Sequence, residues 1–165
     1  MTRDRILKAL SDLLEPDGSS DAVTFKSVAE KAGITEMTVY RHFPTRHDLF
    51  KGHWSHMTAQ MGPTVGMPRD ERDLTEGMTA IHEGFDKIPG QIMASISTPQ
   101  GQEIRSTMNE TRRKAYLACV ESVGGSLIRK EKTQAAAIIQ MLQSAYAWAS
   151  MKEQWNFSGQ QASEA

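Results

Sequence analysis

Apolar residues recur along most of this chain at the three- and four-residue spacing of an amphipathic helix, and no stretch alternates with the period of a strand. Ile6, Leu7, Leu10, Leu13 and Leu14 predict a helix over residues 4–14 with a broad apolar face. The turn-forming run Pro16 to Asp21 predicts a loop. A second helix follows, in which Thr24 can cap the N-terminus and Phe25, Val28, Ala29 and Ala32 share one buried stripe. Gly33 ends it where a left-handed residue is needed, and Ala29 is small enough for the next helix to cross closely. Ile34 turns into the core and Thr35 caps a third helix with Val39 and Phe43 inward and Glu36, Met37, Arg41 and His42 outward. Thr45, with Asp48 three residues on, starts a fourth helix whose inner face is Leu49, Phe50, His53, Trp54 and Met57.

Gly62 to Pro68 interrupts the pattern and divides the chain into a head, residues 1–56, and a body, residues 57–165. In the body, a long helix is expected from Arg69, seamed by Leu74, Met78, Ile81, Phe85 and Ile88 and stopped by Pro89-Gly90. A short apolar piece, Ile92 to Ile96, leads to Thr98-Pro99, a cap followed by proline at the first helical position. The helix it opens should carry Ile104, Met108, Tyr116, Cys119 and Val123 as far as Gly124-Gly125. A last long helix, about 132–155, is apolar over much of its girth, which asks for neighbours on every side, a second copy of the chain among them. Ser158 then begins another helix close to the end, as expected either of a naturally short chain or, the favoured reading, of a sequence cut within a final helix. The expected fold is all-α: a helix-turn-helix head and a helical bundle behind it.

Composition narrows the classes. With 165 residues and 39% apolar content the chain can bury a core. It has no apolar run long enough to span a bilayer and no signal-peptide pattern at its N-terminus. A lone cysteine, Cys119, makes no internal disulfide, which fits the cytoplasm. Net charge is −1, and the head carries eight Lys/Arg against eight Asp/Glu, so nucleic-acid binding does not follow from bulk charge. The balance is uneven locally: between Met37 and His56, Arg41, Arg46 and Lys51 face Asp48 alone, beside His42, His47, His53 and His56.

Two short helices joined by a glycine turn, with polar tips on the second, form the DNA-reading arrangement of a helix-turn-helix. The run GITEMTVYRHFPTRHDLF, residues 33–50, resembles the signature of TetR-family transcriptional regulators. The likeness covers residues 5–56 well and the remainder only in helical layout. It implies a dimer formed through the last helices, and it places Thr38, Tyr40 and Arg46 at phosphate-contacting positions. Thr24 and Lys26, at the start of the second helix, are further candidates for phosphate, with Thr24 as a plain cap and Tyr40 as a packing residue the competing readings. Candidates for base edges are Thr35, Glu36, Met37, Arg41 and His42: Arg41 can grip guanine two-pronged, Glu36 can accept from a cytosine amine, and Met37 can touch a thymine methyl. Glu36 can equally serve only the helix dipole.

For the body the resemblance implies a small apolar effector. Met78, Ile81, Phe85, Met93, Ile96, Met108, Tyr116 and Met141 are the candidate walls, with plain core as the competing reading for each. His82, Glu83 and Asp86 are either polar contacts for that ligand or a solvated face. The five histidines lack metal-site spacing, and neither a glycine-rich phosphate loop nor a nucleophile motif occurs. No enzyme, cofactor, metal or membrane is therefore expected. The expected partners are double-stranded operator DNA, an apolar effector and a second copy, in the cytoplasm. The alternative is a helical module that keeps this fold but binds protein partners, a reading the neutral head sustains.

Overall fold

The computed structural model describes residues 2–14 and 23–165. The loop expected at residues 16–21 lies outside them. The described residues form helices and connecting turns, with no strand among them. They divide into two compact units, the first made of Met1–Met57 and Gly90–Thr107, the second of Thr58–Pro89 and Met108–Ala165. The sequence reading placed residues 90–107 in the body, whereas here they pack with the head residues.

In the first unit, α1 (Thr2–Leu13), α2 (Phe25–Ala32), α3 (Glu36–His42) and the first part of α4 (Arg46–Met61) follow the sequence pattern closely. Ile6, Leu7, Leu10, Val28, Val39, Phe43, Leu49 and Phe50 close into one core, as their spacing requires. Thr45 and Asp48 cap α4 reciprocally: the Asp48 amide donates to the Thr45 hydroxyl at 3.1 Å and the Thr45 amide to Asp48 Oδ2 at 3.2 Å. Pro89-Gly90 does not merely stop a helix. Pro89 opens α7 (Pro89–Ser97), where its missing amide costs nothing, so the piece expected as short and apolar is helical throughout. Thr98 then caps α8 (Pro99–Ser106), accepting from the Gly101 amide at 3.0 Å. Gly101 is required because a Cβ there would collide with the Ala94 carbonyl oxygen. This close crossing brings Ile104 into the head core.

The three long helices that the sequence pattern leads one to expect beyond Gly62 are each broken once. The stretch after Arg69 divides into α5 (Glu71–Thr75) and α6 (Gly77–Lys87). Gly77 weakens the helix there, and the Thr75 hydroxyl takes up the Glu71 and Arg72 carbonyls. The helix opened by Thr98-Pro99 ends at Ser106 and α9 (Asn109–Val123) starts afresh. The last one divides into α10 (Arg129–Leu142) and α11 (Ala145–Trp155), with Ser144 capping the second piece. At that break the Gln143 side chain turns inward. It accepts from the Tyr116 hydroxyl at 2.6 Å and donates to the carbonyls of Asp73 at 3.2 Å and Leu74 at 2.9 Å, joining α5, α9 and α10. Leu74, Tyr116, Cys119, Val120 and Ala136 form the core beside it. Ser158 caps α12 (Gly159–Glu164), as expected. The Gly159 amide donates to Asp86 Oδ2 at 2.6 Å, while Trp148 Nε1 donates to Asp86 Oδ1 at 3.0 Å and Lys152 Nζ to the same oxygen at 3.2 Å. Asp86 is thus a structural junction of α6, α11 and α12.

His53 is a buried titratable group of the first unit, 2% exposed, and its Nδ1 has no hydrogen-bond partner among the described residues. Burial, and secondarily the charge of His56, press its pKa down from 6.5 to about 4, against the opposing pull of the Leu7 backbone. A base whose folded pKa lies below its unfolded value leaves the unfolded chain holding more protons between the two. Stability is therefore intact above pH 6.5 and falls as the pH drops towards 4. The loss expected from this group is about 2 kcal/mol between pH 7 and pH 5. Urea unfolding of the wild type and of His53→Leu at both pH values checks it. The wild type should lose about 2 kcal/mol more than the variant, and equal losses would show that His53 does not govern the window.

Candidate nucleic-acid interface

The interface is built from the turn between α2 and α3. Thr24 is extended (φ −117°, ψ 161°) and its hydroxyl accepts from the Ser27 amide at 3.0 Å, while the Thr24 amide donates to Ser27 Oγ at 3.0 Å. Thr24 is therefore a cap in fact, and its exposed position leaves it open to solvent as well. Gly33 takes φ 63°, ψ 42°, and its amide and that of Ile34 close onto Glu30 and Ala29 at 3.1 and 3.0 Å. A contact the sequence did not announce finishes this end: Arg5 of α1 donates to the Ala32 carbonyl at 2.6 Å, satisfying an orphan acceptor and placing a cation at the negative end of α2.

Thr35 then caps α3, accepting from the Thr38 amide at 3.3 Å, with the two hydroxyls 2.9 Å apart. Val39 is fully buried, which fixes the rotation of α3. Met37 and Arg41 are a four-residue pair on the face away from Val39, Glu36 and Tyr40 are a second pair that flanks it, and all four are exposed. Met37 is 76% exposed, a large apolar side chain with nothing over it. Tyr40 is 44% exposed and its ring stacks on Phe25 with centroids 4.3 Å apart, so packing fixes a side chain that still reaches solvent. Lys26 is exposed, Thr38 half-buried.

His42 is half-buried and lines an open depression of about 330 Å3 with Arg3, Phe43, Pro44, Asp48, Lys51, Gly52 and Ser55. Arg3 stands over the Phe43 ring at 5.0 Å, and Gly52 makes room, since a Cβ there would sit 2.6 Å from Phe43 Cε1. The sequence pattern did not single out Arg3, because its neighbour Gly52 is 49 positions away (52 − 3). Arg46 departs most from the simple expectation. Its guanidinium pairs with Glu103 at 2.8 Å, donates to the Val23 carbonyl, and lies 4.3 Å from the Phe50 ring.

The eight side chains expected to wall an effector site are not gathered in one place. Phe85 and Tyr116 are buried, Met78, Ile81 and Met108 half-buried and Met141 exposed, all in the second unit; Met93, exposed, and Ile96, half-buried, belong to the first. Ile81 alone of the eight lines an open cavity of about 230 Å3, which Pro63, Val65, Met67, Arg69, Asp73 and Gln143 also line. Burial pushes the Tyr116 phenol up to about 12. His82 is buried with Nε2 3.1 Å from the Leu142 carbonyl oxygen, and Glu83 is exposed. Among the described residues no group of three His, Cys, Asp or Glu side chains is placed to hold a metal, and no helix is long and apolar enough to cross a membrane.

Comparison with known proteins agrees with this geometry. The family described as bacterial regulatory proteins, tetR family, matches residues 6–52. Over 50 residues, 30% of this chain, the head is 38% identical to the nucleoid occlusion factor SlmA of Aliivibrio fischeri (strain MJ11) and 36% identical to that of Vibrio cholerae. The match spans about a quarter of the length of these curated relatives, 26%. Two solved structures from Rhodococcus sp. RHA1 share the fold at 19% identity. One, a transcriptional regulator, has a TM-score of 0.55 and the match covers 99% of this chain and 91% of that one; the other, a TetR transcriptional regulator, has a TM-score of 0.50 over 99% and 90%. Residues 6–52 thus carry the N-terminal domain of the bacterial tetR regulatory proteins, and the described residues share the all-helical fold of these solved regulators.

Proposed function

We propose that the protein is a homodimeric repressor whose two heads occupy the halves of an approximately palindromic operator and leave it when a small apolar ligand binds the second unit. The observation that carries this reading is the exposed surface of α3, where Met37 and Arg41 stand opposite the buried Val39 and Glu36 and Tyr40 flank them in solvent. Such a face fits the major groove, with half-site centres about one helical turn, roughly 34–36 Å, or a multiple of it apart. Arg41, Glu36 and Met37, flanked by Thr35 and His42, read base edges; Thr24, Lys26, Thr38, Tyr40 and Arg46 hold phosphates.

A dimer is supported by the uncovered apolar side chains of α10 and α11: Ile138 at 60% exposure, Met141 at 53%, Leu142 at 49% and Tyr146 at 42%. A patch of this kind on a helical surface marks an association site. The cavity beside Ile81 supports a ligand, with Pro63, Val65 and Met67 as apolar wall. Release requires only that the ligand favour one head arrangement by about 1–3 kcal/mol. The protein acts by binding, without catalysis.

Arg41→Ala should weaken binding to a selected operator and relax preference at one base position, a discrimination of about 1–3 kcal/mol; an unaltered base preference in a binding-site selection would remove Arg41 from the readout. Thr38→Ala combined with Tyr40→Phe should lower affinity for all duplexes alike, as titration of operator and scrambled DNA will show. A loss restricted to the operator contradicts the phosphate role. Ile138→Glu with Met141→Glu should convert the dimer to monomer in sedimentation equilibrium without loss of helix content, whereas a variant that stays dimeric places the interface elsewhere.

A further inference from the structure

Arg46 opens α4 among the side chains read as phosphate contacts, yet its fork is already filled. Nε donates to Glu103 Oε1 at 2.8 Å and Nη2 to Oε2 at 2.9 Å, while Nη1 donates to the Val23 carbonyl. The hydrogen bonds from Arg46 hold the Glu103 carboxyl below the usual range, and the same bonds raise Arg46 above its own. A carboxylate offering two oxygens to a guanidinium fork makes the same two-pronged contact as a phosphate. Both side chains keep access to solvent, 38% and 47% exposed, so the pair is weak enough for a competing anion to displace it.

We propose that Glu103 is an internal phosphate mimic, which occupies the Arg46 fork in the absence of DNA and must leave it before a DNA phosphate can enter. The proposal rests on the reading of the head as a DNA-binding surface with Arg46 among its phosphate contacts. Three of the five guanidinium N–H groups are committed to Glu103 and Val23, and the carboxylate cancels the charge that would attract the DNA backbone. Val23 and Phe50 hold the guanidinium in place from the head side, so withdrawal of Glu103 exposes a positioned fork rather than a loose chain. Glu103 lies on α8, within the Gly90–Thr107 segment that is continuous in sequence with the second unit at both ends. A displacement of α8 therefore changes the charge available on the head by one unit without touching α3. It alters general affinity for DNA and leaves base preference alone.

The test is titration of the full-length protein with a mixed-sequence duplex, followed by fluorescence anisotropy over a range of salt concentrations. Glu103→Gln, similar in shape but uncharged, should bind several-fold tighter, with the slope of log affinity against log salt steeper by about 0.9, the value for one added phosphate contact. Glu103→Asp keeps the charge but is one methylene too short for the two-pronged contact, and it should steepen the slope as well. In an Arg46→Gln background neither change should affect the slope. Wild-type affinity and slope in Glu103→Gln would overturn the proposal, as would an equal gain with and without Arg46 or a gain confined to the Gln variant, both of which would mark a general charge effect. Absence of salt-dependent binding in the wild type and every variant would bring down the DNA-binding reading itself, and this proposal with it. Circular dichroism of each variant keeps loss of fold separate from loss of binding.

Discussion

The head depends on one backbone constraint, the left-handed turn at Gly33 between α2 and α3. At φ 63° a residue with a Cβ is strained, and the turn is short enough that the amides of Gly33 and Ile34 must close directly onto the carbonyls of α2. With those bonds made, α3 has one direction in which to leave, and buried Val39 and Phe43 settle its rotation. Everything presented to solvent on α3 follows from that, including the uncovered Met37 and the Tyr40 ring held against Phe25. The caps at Thr24 and Thr35 fix where each helix begins, so the constraint runs from two dihedral angles to the placement of the exposed face of α3.

The second unit depends on breaks rather than turns. Helices that look continuous in sequence are interrupted at Glu76 and at Gln143, and the second interruption frees a side chain for tertiary bonds. Gln143 is the clearest instance, since its amide serves three partners on two other helices while the helix it would have continued is recapped by Ser144. Asp86 plays the same part for α11 and α12.

This contrast explains what the sequence disclosed. Caps, the glycine turn and core stripes act within four residues, so α1 to α4 and their buried faces were legible from spacing alone. The breaks were not, because Leu142 and Ala145 are both good helix formers and the partners that draw Gln143 inward lie 27 to 70 positions away. The same separation hid the pairing of Arg46 with Glu103, 57 residues apart, and with it the fact that a segment from the middle of the chain completes the first compact unit. The expected effector walls follow the helical seams. Seam residues such as Phe85 and Tyr116 fill the core, while Met141 and Met93 reach solvent, and Ile81 borders the cavity beside Pro63. Apolar spacing identifies which side chains are covered; it does not say whether a neighbouring helix or a ligand covers them.

Electrostatics gives the head an unusual economy for a DNA-binding surface. Its eight cations are matched by eight anions, and one of the cations best placed for phosphate is paired internally. On the proposed function, recognition draws on the shape and chemistry of α3 more than on bulk attraction, and weak non-specific binding is the expected result. Selection of random duplex DNA by the purified protein, carried out at two salt concentrations, tests this most directly. The account predicts enrichment of one roughly palindromic sequence that survives the higher salt, because base contacts sort sequences even where phosphate attraction is screened. Recovery of unenriched DNA at both concentrations by a folded protein would contradict it.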